Sequence, residues 1–293
     1  MISLEFMLRL RTAGISIWLD GDAVRFSAPR GAMTADLLDT LKSNKDAIRE
    51  FLRRIPADAG QTAPAPPIEK APRKGELPLS FAQQRLWFLD RLEPASAFYN
   101  VPAVVRLSGR LDVDALARSL QELVRRHEAL RTAFPTTLGG EAHQAIAGAL
   151  EVPFPIVDLQ AFAEPVLEAE VRRRAEEEGQ KPFDLARGPL LRTTLLRLGE
   201  QEHVLVLTMH HIVSDGWSMG VLVRELGALY EAFSRGLPSP LPELPIQYAD
   251  YAVWQRAWLS GEVLEAQLAY WKKQLSGAPP ALELPTDRPR PAV

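Results

Sequence analysis

The chain has 293 residues, of which 46% are hydrophobic and 24% are charged, and it contains no cysteine. This composition is typical of a globular protein with a sizeable core. The formal net charge of −3 gives no reason to expect nucleic-acid binding. The lack of cysteine excludes disulfides and thiol catalysis. No run of about 18 apolar residues predicts a membrane span, no signal peptide is expected, and the absence of cysteine fits a reducing, cytoplasmic location.

Residues 1–55 predict a small α-β-β-α-α unit. The leucine-rich run over residues 2–11 favours a short helix. Asp-Gly-Asp at 20–22 separates two apolar runs as the turn of a hairpin, and Thr34 is a good N-cap for the first of two further helices. A two-stranded sheet has exposed edges, which are either simply solvated or accept a partner strand. The predicted docking surface is the second strand, with Val24, Arg25, Phe26 and Ser27.

Residues 56–75 are rich in proline and alanine and predict an extended linker. The second domain is expected over 76–293. Its periodicity predicts these elements in chain order: helix 79–92, strand 101–107, helix 113–127, strand 130–134, helix 163–179, a hairpin of strands 190–198 and 203–209, and helices 217–236 and 264–275. Interleaved strands and helices indicate an α/β sandwich with an open sheet.

The segment with the clearest chemistry follows the predicted strand 203–209. His210 and His211 stand at the strand end, and Asp215-Gly216 supplies turn chemistry before the next helix. A strand can aim such an imidazole into a cleft, where it can accept or donate a proton near neutral pH. Taken alone, the pair is equally compatible with a packed core pair. A metal site would need further ligands, and no His-x-x-x-His pattern or second acidic cluster accompanies the pair.

The pattern His-His-x-x-x-Asp-Gly at 210–216 resembles the active-site motif of the condensation domains of nonribosomal peptide synthetases, which belong to the chloramphenicol-acetyltransferase-like acyltransferase superfamily. Residues 80–89, 126–134 and 248–254 resemble the first, second and fourth motifs of these domains, in family order. Tyr99-Asn100 and residues 216–219 resemble the class that joins an L-configured donor to an L-configured acceptor. The resemblance covers 76–293.

Residues 1–55 in turn resemble the docking domains that precede condensation domains in hybrid polyketide–peptide assembly lines. The implied fold class is α/β (α+β): a small αββαα docking domain plus one chloramphenicol-acetyltransferase-like α/β sandwich lobe. The implied second lobe, with the later motifs, is not among these 293 residues. We therefore expect this chain alone to be inactive.

The resemblance also assigns roles. His211 is the expected active-site imidazole, which positions and deprotonates the amine. His210 is expected to pack behind the strand end, and Asp215 to be a buried carboxylate paired with Arg131. Gly216 is expected to adopt a backbone conformation closed to other residues. Ser218 either lines the cleft or caps the following helix, and the tryptophans, Trp217 among them, are expected in the core.

The implied partners are donor and acceptor carrier proteins, which present substrates on phosphopantetheine arms, and the C-terminal tail of an upstream polyketide synthase or peptide synthetase. No directly bound cofactor or metal, nucleic acid or membrane is expected. The implied reaction is amide-bond formation between a donor acyl or peptidyl thioester and an acceptor aminoacyl thioester. Two alternatives stay open: a docking fragment without catalysis, and a small acyltransferase that completes its site by self-assembly.

Overall fold

The computed structural model describes residue 10, residues 15–20, 23–28, 33–54 and 65–279, and residues 285, 287 and 288. The chain divides into two compact units, residues 1–65 and residues 66–293. Within the described residues, no helix is long and apolar enough to cross a bilayer.

The first unit contains a hairpin followed by two helices. Strand β1 (Ser16–Asp20) pairs antiparallel with β2 (Ala23–Ser27), and helices α1 (Ala35–Ser43) and α2 (Lys45–Arg54) follow. Thr34 caps α1 because its side chain accepts a hydrogen bond from the Leu37 backbone N–H at 3.3 Å. The predicted hairpin and two helices are confirmed, whereas the helix predicted over residues 2–11 lies mostly outside the described residues.

The second unit is an α/β lobe. Its helices are α3 (Phe81–Leu92), α4 (Val113–Arg126), α5 (Val166–Gln180), α6 (Gly216–Ser234), α7 (Tyr248–Trp258) and α8 (Gly261–Gln274). Its strands are β3 (Asn100–Ser108), β4 (Thr132–Ala133), β5 (Ala145–Ile146), β6 (Ile156–Asp158), β7 (Leu191–Arg197) and β8 (Glu202–His210). The main sheet has the order β3-β8-β7-β6, with only the β6–β7 pair parallel, and β4 pairs with β5. The predicted strand 130–134 is reduced to β4 because a short 3₁₀ turn occupies 128–131.

Strand β8 is covered on both faces, which explains its nearly continuous apolar sequence. Leu207 and Met209 pack into one buried cluster with residues of α4 and α6. Val204 and Val206 pack into another with residues of α5. A third cluster joins α3 to the loop after β8 and includes Leu79, Leu86, Phe134, Phe183, Leu190 and Ile212. The end of β8 is therefore held in a fixed place by three packed groups.

The segment Pro66–Gly75, here called the strap, lies within the second unit rather than in a linker. The Trp254 Nε1–H of α7 donates to the Pro66 carbonyl at 2.7 Å. The carboxylate of Asp250 accepts from the Ala71 N–H at 2.9 Å and from Arg73 at 2.6 Å. The boundary predicted at residue 76 therefore differs from the structure. The strap has few large apolar residues, so composition predicts a linker, but its polar groups are bound by α7.

Candidate active site

The loop after β8 is fixed on both sides of the double histidine. The His211 backbone N–H donates to the Tyr99 carbonyl at 2.8 Å, and the Val213 N–H donates to the His210 carbonyl at 3.1 Å. The side chain of Ile212 is buried in the cluster beneath α3. The backbone that carries His211 is thus anchored to the segment before β3 and to the core. The exposed imidazole is therefore attached to a rigid backbone.

The His211 ring is exposed, and one of its nitrogens is held by the loop itself. Its Nδ1 lies 2.6 Å from the carbonyl oxygen of Ser214. Because a carbonyl only accepts, Nδ1 carries the hydrogen and donates it, which leaves a lone pair on Nε2 of the neutral ring. Within the part of the chain that the structure describes, Nε2 has no hydrogen-bond partner. The ring can therefore accept a proton or a hydrogen bond from a bound ligand.

His210 lies in a different environment from its neighbour. Its ring is buried, with the rings of Tyr99 and Phe183 at 6.4 and 6.2 Å between centroids. Its Nδ1 accepts a hydrogen bond from the Ile212 N–H at 3.1 Å. Burial, followed by the neighbouring His211, lowers the pKa of His210 to about 4. A neutral ring that holds the loop backbone is the role this environment supports.

The buried His210 ring makes stability depend on pH. Its pKa is about 4 in the folded chain against an ordinary 6.5, so between these values the unfolded chain binds more protons. The folded state therefore has its full stability with respect to this ring above about pH 6.5, and this contribution to the free energy of unfolding is lost as the pH falls toward 4. Between pH 7.5 and 4.5 we expect the wild type to lose about 2–3 kcal/mol more unfolding free energy than His210→Asn, measured by urea denaturation. Asparagine can still accept from Ile212 but does not titrate, so equal losses in both proteins would contradict the assignment.

Asp215 and Ser218 form a reciprocal cap at the start of α6. The Ser218 N–H donates to Asp215 Oδ1 at 2.8 Å, and the Asp215 N–H donates to Ser218 Oγ at 2.7 Å. The Ser218 N–H, together with the Ser218 hydroxyl that donates to the same Oδ1 at 2.7 Å, lowers the pKa of the Asp215 carboxyl, which is exposed. Of the two roles left open for Ser218, the structure shows capping.

The prediction that Asp215 is a buried carboxylate paired with Arg131 is wrong. Arg131 instead donates to the Ala147 carbonyl and lies 3.9 Å from Glu128. The physical reason is local: a strand that turns sharply into a helix leaves unpaired N–H groups at the helix start, and an aspartate at that position binds them. The carboxylate is therefore already satisfied and solvated, and it needs no buried cation.

The prediction for Gly216 is also wrong. Gly216 is the first residue of α6, and it is not one of the glycines with positive φ. A Cβ added at this position would meet no atom within 4 Å. The residue thus has no conformational requirement for glycine in this structure. The space beside the Gly216 backbone at the start of α6 is open.

The cap can be tested against the rejected ion pair. Asp215→Ala is expected to lower the free energy of unfolding by about 1 kcal/mol, because the Ser218 N–H loses its acceptor. Asp215→Asn keeps an oxygen acceptor and is expected to stay within about 0.5 kcal/mol of the wild type. Urea denaturation measures both. If asparagine were as destabilising as alanine, the charge rather than the cap would be the important feature.

Two features of the site are not predicted from the sequence. The first is the pair of backbone carbonyls, of Tyr99 and Ser214, that hold His211, since a carbonyl has no sequence signal. The second is the exposure of Trp217, for which the core position is wrong because the residue is 85% exposed. Trp217 lies in the first turn of α6, two residues after the Asp215 cap, and no sequence signal marks its exposure. The described residues hold no group of three or more His, Asp or Glu that could bind a metal ion.

Family models match both units of the chain. The model described as Condensation domain matches residues 73–293, and the model described as TubC N-terminal docking domain matches residues 4–54. A component of linear gramicidin synthase from Brevibacillus parabrevis is 57% identical over 227 residues, which cover 78% of this chain and 3% of that protein. The chain belongs to the condensation domain family.

Solved structures agree with this fold class. The X-domain in complex with OxyB from teicoplanin biosynthesis is 35% identical with a TM-score of 0.68, covering 79% of this chain and 50% of that one. The EpoB cyclization-docking bidomain from Sorangium cellulosum is 25% identical with a TM-score of 0.68, covering 97% of this chain and 54% of that one. The α/β sandwich predicted from the motifs is confirmed. The chain spans about half the length of these two solved chains.

Proposed function

We propose that this chain is the docking domain and first lobe of a condensation domain. The condensation domain forms an amide bond between a donor acyl or peptidyl thioester and an acceptor aminoacyl thioester. Both thioesters are carried on phosphopantetheine arms of carrier proteins. The observation that carries the proposal is that the His211 ring is exposed and held in one orientation by its loop. The Ser214 carbonyl holds its Nδ1 at 2.6 Å, which fixes the tautomer and leaves Nε2 as an acceptor on an exposed ring. No cofactor held by this chain is required for that chemistry.

The role of His211 follows from the chemistry of the amine. An α-amino group has a pKa of about 7.7–8.0, so a sizeable minority is already neutral near pH 7. A strong base is unnecessary to create the nucleophile. Nε2 accepts a hydrogen bond from the amine and orients its lone pair toward the thioester carbon. As the C–N bond forms, the carbonyl electron pair moves to oxygen and the nitrogen gives its proton to Nε2. The oxyanion then re-forms the carbonyl, the C–S bond breaks, and the leaving thiolate takes the proton from Nε2, which restores the neutral ring.

The proposal is tested with an amide-forming assay on carrier-bound donor and acceptor thioesters. Because the chain spans about half the length of the solved domains it matches, the assay is run on these residues alone and on them joined to the second half of a related condensation domain. Product from the joined protein supports the proposal. Product from the chain alone supports a self-assembled site as well. No product from either, with carriers that a known condensation domain accepts, contradicts the proposal.

The first unit is proposed to bind the C-terminal tail of an upstream synthase or synthetase along β2. Arg25, Phe26 and Ser27 are exposed, with the Phe26 side chain at 47%, whereas Val24 packs partly against the core of its own unit. The usable part of the predicted surface is therefore the three exposed residues. An extended peptide can add to the strand through its backbone, with apolar contact at Phe26.

The docking proposal has a direct test. Candidate tail peptides from upstream synthases are titrated into the chain by calorimetry. Phe26→Ala is expected to weaken binding by about tenfold, since it removes a half-exposed aromatic contact. Lys42→Ala, on the exposed face of α1 where Lys42 lies 3.9 Å from Asp39, serves as a control. Equal affinity of the Phe26 variant and the wild type would place the binding surface elsewhere.

The cytoplasmic location stays a prediction.

A further inference from the structure

The fourth motif contains a tyrosine whose hydroxyl lies at a junction of two helices. Tyr248 is the first residue of α7, and its hydroxyl oxygen lies 3.0 Å from Oγ of Ser80, the N-cap of α3. The Tyr248 side chain is 38% exposed, whereas Ser80 is completely buried. One side of this phenol therefore contacts the core and the other faces solvent.

The direction of the hydrogen bond follows from counting donors. Ser80 Oγ already accepts the Gln83 N–H at 3.1 Å as part of the cap. Its own hydrogen is buried, and leaving a buried donor without an acceptor costs about 1–3 kcal/mol. The neighbouring atom that can take this hydrogen is the Tyr248 oxygen. Ser80 therefore donates to Tyr248, and the phenolic hydrogen of Tyr248 is left to point to the solvent side.

The phenol is held rigidly with respect to α3. Gln255 Oε1 accepts from the Phe81 N–H at 2.9 Å, and Arg256 Nε donates to the Leu79 carbonyl at 2.7 Å. Both partners lie on α7, about two turns beyond Tyr248. A donor whose position is fixed by several long-range contacts is preorganised, which is what binding a developing or existing oxyanion requires.

The same junction lies beside the loop that carries His211. Leu79, directly before Ser80, belongs to the buried cluster that contains Ile212 and Val213 of that loop. Burial raises the pKa of the Tyr248 phenol, and nearby Tyr251 and Asp215 raise it further, outweighing the opposing hydrogen bond from Ser80. The phenol therefore keeps its hydrogen near neutral pH, and Asp215, four residues after His211, is near enough to act on it electrostatically.

We propose that Tyr248 donates its phenolic hydrogen to a carbonyl oxygen of the carrier-bound donor substrate. This inference rests on the proposed function. The carbonyl belongs either to the thioester, whose oxygen becomes an oxyanion as the amine attacks, or to an amide of the phosphopantetheine arm. In both cases the phenol gains an acceptor that none of the described residues supplies, and the buried Ser80 hydroxyl polarises the phenol by donating to its oxygen.

The test compares Tyr248→Phe with the wild type in the amide-forming assay on the joined protein. Loss of the donor is expected to lower kcat/KM about 10- to 100-fold. Tyr251→Phe is the matched control on the same helix, because its hydroxyl accepts a hydrogen bond from Gln255 within α7 at 2.8 Å, and it is expected to stay unchanged. An unchanged kcat/KM in Tyr248→Phe, together with loss of product in a His211 variant, would overturn the inference and leave the proposed function standing.

Two substrates distinguish the two carbonyls. A donor on the full carrier arm is compared with the same acyl group on an ethanethiol thioester, which has no arm amide. A loss in kcat with both substrates assigns the thioester oxygen, and a loss confined to the full arm assigns an arm amide.

A binding measurement separates this inference from the proposed function. An acyl-pantetheine whose thioester sulfur is replaced by nitrogen is titrated by NMR into wild type and Tyr248→Phe. If no protein forms amide but the variant binds this probe about fivefold or more weakly, the inference stands and the function fails. Equal binding in that case overturns both.

Discussion

Replacing His211 with asparagine is expected to lower the rate of amide formation by about 100- to 10,000-fold, the usual contribution of a positioned proton acceptor. The asparagine amide N–H can still donate to the Ser214 carbonyl, which His211 Nδ1 contacts at 2.6 Å. The variant thus keeps the loop and removes only the Nε2 acceptor. The measurement is the single-turnover rate of amide product from carrier-bound thioesters, with the protein joined to the second half of a related domain.

Two checks make this result specific to Nε2. His143→Asn, in the loop between β4 and β5, makes the same chemical change outside the site and is expected to leave the rate unchanged. The unfolding midpoint of the His211 variant in urea is expected to match the wild type, because the ring is exposed and its loop contact is preserved. A rate within about threefold of the wild type would place the proton acceptor elsewhere, since a positioned base contributes more than that.

Removing the Asp250 carboxylate is expected to destabilise the second unit by about 3 kcal/mol, as is typical when one partner of a buried charge pair is deleted. Asp250 is 1% exposed and accepts hydrogen bonds from Arg73, Ala71 and Gln247. Burial opposes its ionisation, but these hydrogen bonds and the Arg73 charge lower the pKa of Asp250 overall. Among the described residues, Asp250→Ala leaves the Ala71 and Gln247 N–H groups without an acceptor and leaves the Arg73 guanidinium with Glu128 as its remaining charge partner.

Urea denaturation measures the loss, and hydrogen exchange locates it. The Ala71 amide, which donates to Asp250 at 2.9 Å, is expected to exchange much faster in the variant because the strap detaches. Glu177→Ala removes the exposed partner of Arg173 on α5 and is expected to cost less than about 0.5 kcal/mol. If the Asp250 and Glu177 variants were equally stable, the strap would not depend on the buried carboxylate.

Much of the fold is readable from short stretches of sequence. The apolar run before His210 predicts a strand covered on both faces, and β8 ends at that histidine. Residues 113–127 show helical spacing, and α4 forms over Val113–Arg126 with Asp112 as the N-cap. The fourth motif and the residues after it place Tyr248, Tyr251, Trp254 and Trp258 at helical spacing, and they form a series of neighbouring rings along α7, although no helix is predicted there.

The sequence by itself determined the hairpin, most helices, the strand-end imidazole and the four motifs that indicate the family, because each depends on residues within one or two turns of each other. Only the tertiary structure decided the partner of Asp215, the place of the strap and the contact of Tyr248 with Ser80. The last two join residues separated by 177 and 168 positions. Periodicity and capping report local backbone preferences, whereas the choice among possible partners for a charge or hydroxyl depends on which groups the packed core brings within about 3 Å.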